Sequence, residues 1–153
     1  MWITQLVIHH DYRGKGYATT LLRFLIESWK PSIVGVASAH PHTIMAVQHA
    51  STAIFDESFI QNNLLQIIKK CNIPYLTDTA VIDIPESANE PRFQVDTQFY
   101  ADHSEPLKAL HSLPLGAKWP LGPLLEGHEF IVIFLVGSNR RKIAHEVEGE
   151  DIH

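Results

Sequence analysis

The N-terminal third of this chain contains a strand, a glycine loop and a helix in direct succession. Residues 2–8 are apolar and β-branched, which predicts a strand that stops at His9, His10 and Asp11. Apolar residues then recur at three- and four-residue steps from Ala18 to Trp29 until Pro31 ends the pattern, which predicts an amphipathic helix. Residues 32–39 are nearly uncharged and indicate a buried strand of the kind found in parallel sheets. The segment is therefore a β-loop-α-β unit.

The rest of the chain has mixed helical and strand-like patterns. Helices are predicted over residues 44–54, with Pro41 a suitable start, and over 58–71. Residues 75–84 and 92–100 resemble strands, the second with Phe93, Val95, Thr97 and Phe99 on one face and Gln94, Asp96 and Gln98 on the other. A short helix capped by Ser104 runs to His111, residues 114–127 are loop or turns, and 130–136 form a strong strand. These patterns predict one α/β domain over residues 1–138 and a charged flexible tail over 139–153.

Charge and hydropathy narrow the class of protein. The 153 residues carry 12 basic and 17 acidic side chains, a formal charge of −5, and no long basic stripe, so we expect no nucleic-acid partner. The longest apolar runs are far shorter than the roughly 20 residues of a membrane-spanning helix, and no signal-peptide pattern is present at the N-terminus. The single cysteine, Cys71, has no partner for an internal disulfide. We expect a cytoplasmic protein that does not enter membranes.

The loop between the first strand and the first helix has the chemistry of an anion site. Its residues are Arg13, Gly14, Lys15, Gly16, Tyr17 and Ala18. The first turn of a helix presents unpaired N–H groups and the positive end of the dipole, and glycine allows the backbone to approach an anion closely. Arg13 and Lys15 add positive charge. The small side chain of Ala18, at the start of the helix, leaves space for the anion. The alternative is an ordinary tight turn in which both cations are solvated.

This loop is neither a Walker loop nor a Rossmann fingerprint, since GxxxxGK[ST] and GxGxxG are both incomplete. It resembles the signature [Q/R]-x-x-G-x-[G/A] of the GNAT superfamily of acyl-CoA N-acyltransferases, matched here by Arg13, Gly16 and Ala18. The segments 95–110 and 119–134 are similar in general character to the closing strands of a fungal-type group of that family. The resemblance is strongest over the first 50 or so residues.

The resemblance implies a cofactor, a reaction and a fold. Acetyl-CoA would bind with its pyrophosphate on residues 13–18 and its pantetheine arm along the backbone of Leu6, Val7 and Ile8, in the gap between two splayed parallel strands. The acetyl group would be transferred by direct attack of a primary amine on a small molecule or protein. The fold would be the C-terminal portion of the GNAT domain, a mixed sheet with splayed parallel strands and a closing antiparallel pair.

The chain departs from that family in two respects. The strands and helices that normally precede the pyrophosphate strand are absent, so we expect a truncated domain whose exposed sheet edge can pair with a partner or with a second copy. The helix that often supplies a proton-donating tyrosine has none over residues 43–50. His49 is a candidate there, and His128 and Glu129 beside the last strand are candidate bases. A truncated module that binds CoA without turnover is the alternative.

The histidine groups and Cys71 are expected to have structural roles and not chemical ones. Ten histidines, with His9-His10 and His40-Pro41-His42 the densest groups, suggest a metal, but HExxH and CxxC are missing and we expect no metal site. Cys71 ends an apolar helix face and is expected to be a buried thiol rather than a nucleophile. Trp119 and Tyr100 are equally suited to an acceptor pocket and to the core.

Overall fold

The computed structural model describes residues 1–77, 82–83, 92–99, 102–113 and 119–137. Within these residues lie five strands and five α-helices. In chain order they are β1 (Trp2–Ile3), α1 (Tyr17–Trp29), β2 (Ile33–Ser38), α2 (Pro41–Ala50), α3 (Glu57–Lys69), α4 (Pro74–Thr77), β3 (Ile82–Asp83), β4 (Gln94–Asp96), α5 (Ser104–His111) and β5 (His128–Leu135). The predicted tail over 139–153 lies outside the described residues, as does Tyr100.

The strands form one mixed sheet in the order β1-β2-β5-β4-β3. β1 pairs with β2 in parallel, since α1 carries the chain back to the same end of the sheet, and the other three pairs are antiparallel. The centre of β5, Phe130 to Phe134, is buried on both faces of the sheet. Helices α1 and α2 pack against one another, α2 also contacts β2, and α3 contacts β5. The predicted α/β class and mixed sheet are confirmed.

The first strand is shorter than predicted. Trp2 and Ile3 pair with Gly35 and Val36, but β2 continues to Ser38 against β5 with no further partner from β1. Residues 4–8, predicted as strand, therefore leave β2 and make no ladder with it. This separation of two parallel strands opens the sheet at its edge.

The predicted helix over 44–54 begins at Pro41 and stops at Ala50. Thr52 adopts a left-handed backbone (φ 50°). The amides of Thr52 and Ala53 then bond the carbonyls of His49 and Gln48, which is the Schellman arrangement that satisfies the last carbonyls of a helix. The apolar residues Ala53 and Ile54 thus belong to the following loop.

Two predicted strands in the second half were partly wrong. Residues 75–77 are helical because Pro74 occupies the first position of α4, where its missing N–H costs nothing. Residues 92–99 contain only the three-residue β4, flanked by left-handed Phe93 (φ 49°) and Gln98 (φ 54°). Gln94, predicted on the same face as Asp96 and Gln98, is fully buried because its amide donates to the Pro123 carbonyl oxygen and accepts from the Leu125 N–H. Phe99, predicted on the same face as Phe93 and Val95, is exposed, whereas those two are buried.

The predicted helices over 58–71 and 104–111 and the predicted strand over 130–136 are confirmed as α3, α5 and β5 with shifts of one or two residues. Ser104 does not cap α5 as predicted. The carboxylate of Asp102 accepts from both the N–H and the hydroxyl of Ser104, and these two bonds hold the pKa of Asp102 below its usual value. None of the helices in the described parts of the chain is long and apolar enough to cross a membrane.

Candidate acyl-CoA cleft

A cleft of about 990 Å³ opens beside the point where β1 and β2 separate. This is within the size range of small-molecule sites in proteins. Its walls come from the residues after β1, the glycine loop and start of α1, the end of β2, α2, and α5. The lining residues are Leu6, Val7, Ile8, Tyr12, Arg13, Gly14, Gly16, Tyr17, Ala18, Thr19, Ser38, His40, His42, Thr43, Met45, Ala46, His49, Glu105, Lys108, Ala109 and Ser112. Eight of the nine residues predicted to contact the cofactor are among them.

The glycine loop presents the start of α1 to this cleft. Gly14 (φ 72°) and Gly16 (φ 80°) both have the left-handed backbone that favours glycine, and a Cβ at either position would meet open space. Gly16 is the N-cap of α1 and has no side chain to bond the first-turn amides, whereas α2 and α3 begin with such a bond from His40 and Asp56. The first turn of α1 also lacks an acidic residue. Its N–H groups are thus offered to the cleft, as an anion site requires.

The two cations of the loop occupy different positions. Arg13 lines the cleft, where its Nε donates to the Ile8 carbonyl oxygen (2.9 Å) and its Nη1 pairs with the carboxylate of Glu105 on α5. Of the nine residues predicted to contact the cofactor, Lys15 alone does not line the cleft. Its ammonium lies 5.5 Å from the centre of the Tyr12 ring, a cation–π contact.

Glu105 places a negative charge beside the residues predicted to bind phosphate. We expect Glu105→Gln to raise the affinity for acetyl-CoA about fivefold, because the variant removes repulsion of the phosphates and frees Arg13 from its ion pair. Isothermal titration at low salt measures the change, which should shrink as salt is added. Glu57→Gln is the matched control, since it breaks the ion pair with Arg92 away from the cleft. Equal effects of both variants would contradict this reading.

Local sequence patterns do not indicate the contribution of α5 or of the residues between β2 and α2 to the cleft. Glu105 and Lys108 come from α5, about 90 residues beyond the loop that they face. His40 was considered only for metal binding, yet its Nδ1 accepts the N–H of His42 and caps α2. Burial lowers the pKa of His40, with His42 and Arg13 acting in the same direction and Glu105 opposing them. The dipeptide His40-Pro41, before a helical pattern, was the available signal for this cap.

The three catalytic candidates are not brought together. His49 is exposed on α2 and lines the cleft, while His128 and Glu129 do not line it. The Nδ1 of His128 lies 2.8 Å from the Glu126 carbonyl oxygen. Glu129 is half-buried in β5, and the N–H of Ala39, just after β2, favours the charged form of its carboxyl. His49 is thus the candidate on the cleft side.

Burial raises the pKa of Glu129, and the backbone N–H of Ala39 offsets only part of this shift. Since the folded-state pKa exceeds the unfolded one, the stability linked to this group is full below the unfolded pKa and is lost as pH rises through the folded pKa. We therefore expect Glu129→Gln to melt about 2 °C above the parent at pH 8 and no higher than it at pH 4. Glu27→Gln, on the exposed face of α1, is the control. If Glu129→Gln raised the melting temperature equally at pH 4 and pH 8, the pKa of Glu129 would not be raised in the folded state.

Other side chains considered from the sequence have defined positions. His9, His10 and Asp11 lie together, their ligand-type atoms within 4.8 Å of one another and all three exposed. Cys71 is half-buried. The indole Nε1 of Trp119 donates to the Gly122 carbonyl oxygen (3.0 Å) and its ring packs edge-on against Phe130, so Trp119 is part of the core rather than of the cleft.

Comparison with known proteins identifies the class to which the cleft-forming segment corresponds. Residues 1–54, which hold β1, the glycine loop, α1, β2 and α2, match the model of the acetyltransferase (GNAT) family. No curated protein and no solved structure matches the chain. The match covers 54 of the 153 residues and confirms the GNAT resemblance there. A general acetyltransferase function is the class that this match supports.

Proposed function

We propose that the chain binds acetyl-CoA in this cleft and transfers the acetyl group to a primary amine. The observation that carries the proposal is the convergence of a left-handed glycine loop and an uncapped helix N-terminus on one wall of the cleft. Backbone N–H groups of residues 17–19 hold the pyrophosphate, and Arg13 and Lys108 supply positive charge. The pantetheine arm lies along Leu6, Val7 and Ile8.

The chemistry requires few protein groups. A neutral amine attacks the thioester carbonyl, and the protein contributes by holding the two reactants in line and by donating backbone N–H groups to the carbonyl oxygen as it becomes negative. Residues 4–8 suit this role because they have left the ladder with β2 and their backbone groups are not used in sheet pairing. His49 is the candidate on the cleft side for proton transfer to the departing sulfur.

Two measurements test binding and turnover separately. Calorimetric titration with acetyl-CoA is expected to give one site with a dissociation constant on the order of micromolar. No heat at millimolar acetyl-CoA would contradict binding. Release of free thiol from acetyl-CoA with a panel of amines then distinguishes an enzyme from a module that only binds CoA, since binding without thiol release supports the module.

The edge of the sheet suggests a second candidate function, that of an interaction protein. Among the described residues β1 is an edge strand, and α1, which follows it in the chain, exposes the large apolar side chains of Leu21, Phe24 and Trp29. We propose that this surface pairs with a partner or a second copy. Light scattering after size exclusion reports the mass, and a monomer at high concentration would contradict self-pairing.

A further inference from the structure

Three side chains that can ligate a metal lie together on the turn between β1 and the glycine loop. They are His9, His10 and Asp11, and we call them the His9–His10–Asp11 cluster. One ligand-type atom from each residue lies within 4.8 Å of the other two, and all three residues are exposed. None of them lines the cleft, although their neighbours in sequence, Ile8 and Tyr12, do. The cluster is thus a separate group at the rim of the cleft.

The separations within the cluster are close to those of atoms that share one metal ion. The Nε2 of His10 lies 2.9 Å from Oδ1 of Asp11, and the Nδ1 of His9 lies 3.6 Å from Oδ2 of the same carboxylate. Two ligands held tetrahedrally at about 2.1 Å from a zinc ion are about 3.4 Å apart. The ring centres of His9 and His10 are 4.2 Å apart. Small rotations of these exposed side chains therefore place all three around one ion.

The backbone of this turn is held by hydrogen bonds that do not use the imidazoles or the carboxylate. Residues His10–Tyr12 form a single 3-10 turn. The N–H of Tyr12 donates to the His9 carbonyl oxygen (2.9 Å), and that of Arg13 donates to the His10 carbonyl oxygen (3.2 Å). The Nε of Arg13 also donates to the Ile8 carbonyl oxygen (2.9 Å). A backbone that is already fixed reduces the entropy lost when the ligands are ordered around an ion.

The ligand set favours a transition metal over magnesium or calcium. Within the described parts of the chain, Asp11 forms ion pairs with His9 and His10 and with no lysine or arginine. Imidazole nitrogens and one carboxylate are ligands of zinc and its neighbours in the periodic table, whereas magnesium and calcium take oxygen ligands. The Nδ1 of His9 also accepts the Asp11 N–H, but at 3.4 Å this bond is long and is readily exchanged for a bond to a metal.

We propose that the His9–His10–Asp11 cluster binds one divalent transition-metal ion of the zinc kind, with water in the remaining coordination positions. Such a site is open, because it has three protein ligands and all three are exposed. The expectation of no metal site depended on the missing HExxH and CxxC motifs, and HExxH is the spacing for ligands on one face of an α-helix. Three consecutive residues on one turn need neither spacing. The proposal is independent of the proposed acetyl transfer.

The test is a titration of the full chain, free of any histidine tag, with zinc chloride. Calorimetry is expected to give one site, and amide NMR its largest shifts at residues 9–12. His10→Ala and Asp11→Asn should each weaken zinc binding about tenfold, because each removes one of three ligands. His111→Ala, which removes an exposed imidazole from α5, is the matched control and should leave the zinc affinity unchanged. Magnesium chloride at the same concentration should not shift residues 9–12.

Each other outcome overturns the proposal. Absence of shifts at residues 9–12 at millimolar zinc, or shifts centred on His40 and His42, would place no zinc at this cluster. Zinc affinity that both cluster variants leave unchanged, or that His111→Ala lowers equally, would indicate binding to scattered histidines. Equal shifts with magnesium would indicate attraction to the Asp11 charge alone. The comparison of zinc with magnesium needs no variant, and the melting temperature of each variant verifies that it is folded.

Discussion

Replacing Gly16 with valine is expected to abolish measurable acetyl-CoA binding, a loss of about 100-fold or more. Gly16 has a φ of 80° and caps α1, and a β-branched residue strongly disfavours that backbone conformation. The loop must then change conformation, which turns the first amides of α1 away from the cleft. Titration of the folded variant with acetyl-CoA measures the loss.

A matched control separates this effect from general strain. Gly122 also has a left-handed backbone (φ 66°) but does not line the cleft. Gly122→Val should therefore lower the melting temperature by a similar amount and leave the acetyl-CoA affinity unchanged. If both variants lose affinity equally, or if Gly16→Val binds normally, the α1 N-terminus is not the phosphate site.

Replacing Gly35 with valine is expected to destabilise the fold by about 2 kcal/mol or more. A Cβ at Gly35 would lie 2.5 Å from the Trp2 ring, which covers this glycine in the β1–β2 pair. The Gly35 N–H also bonds the Met1 carbonyl oxygen (2.8 Å). Displacing Trp2 thus detaches β1 and loosens residues 6–8, so acetyl-CoA affinity should fall with stability. Urea unfolding measures the loss of stability, and calorimetric titration measures the fall in acetyl-CoA affinity.

The clash predicts a specific coupling between the two residues. Trp2→Ala removes the ring that meets the new side chain, so the double variant Trp2→Ala, Gly35→Val should lose less stability than the sum of the two single losses. Strict additivity in urea unfolding would contradict the packing of Trp2 over Gly35.

Local sequence signals predicted the parts of the site that depend on local backbone conformation. Gly14 and Gly16 were predicted to form a loop in which glycine lets the backbone approach an anion, and both have the positive φ that glycine permits. The helix start at Pro41 and the buried strand of β2 follow from the same kind of signal, because a proline or a run of β-branched residues restricts its own backbone. The identity of a residue and of its neighbours in sequence is sufficient to predict these backbone conformations.

The features that were missed depend on contacts between distant residues. The ion pair of Arg13 with Glu105 joins residues 92 positions apart, and no local pattern indicates it. The burial of Gln94 depends likewise on the carbonyl of Pro123 and the N–H of Leu125, about 30 residues away. The end of β1 at Ile3 depends on where β2 diverges, since residues 4–8 have strand-like side chains without a strand partner.

The position of acetyl-CoA can be mapped most directly by amide NMR of the full chain. Addition of acetyl-CoA is predicted to produce its largest backbone shifts at the amides of residues 14–19, with a second set at Leu6, Val7 and Ile8. Amides of residues that do not line the cleft, such as that of Leu64 in α3, should shift little. Shifts that are absent, or that centre on residues away from the α1 N-terminus, would contradict the proposed acyl-CoA cleft.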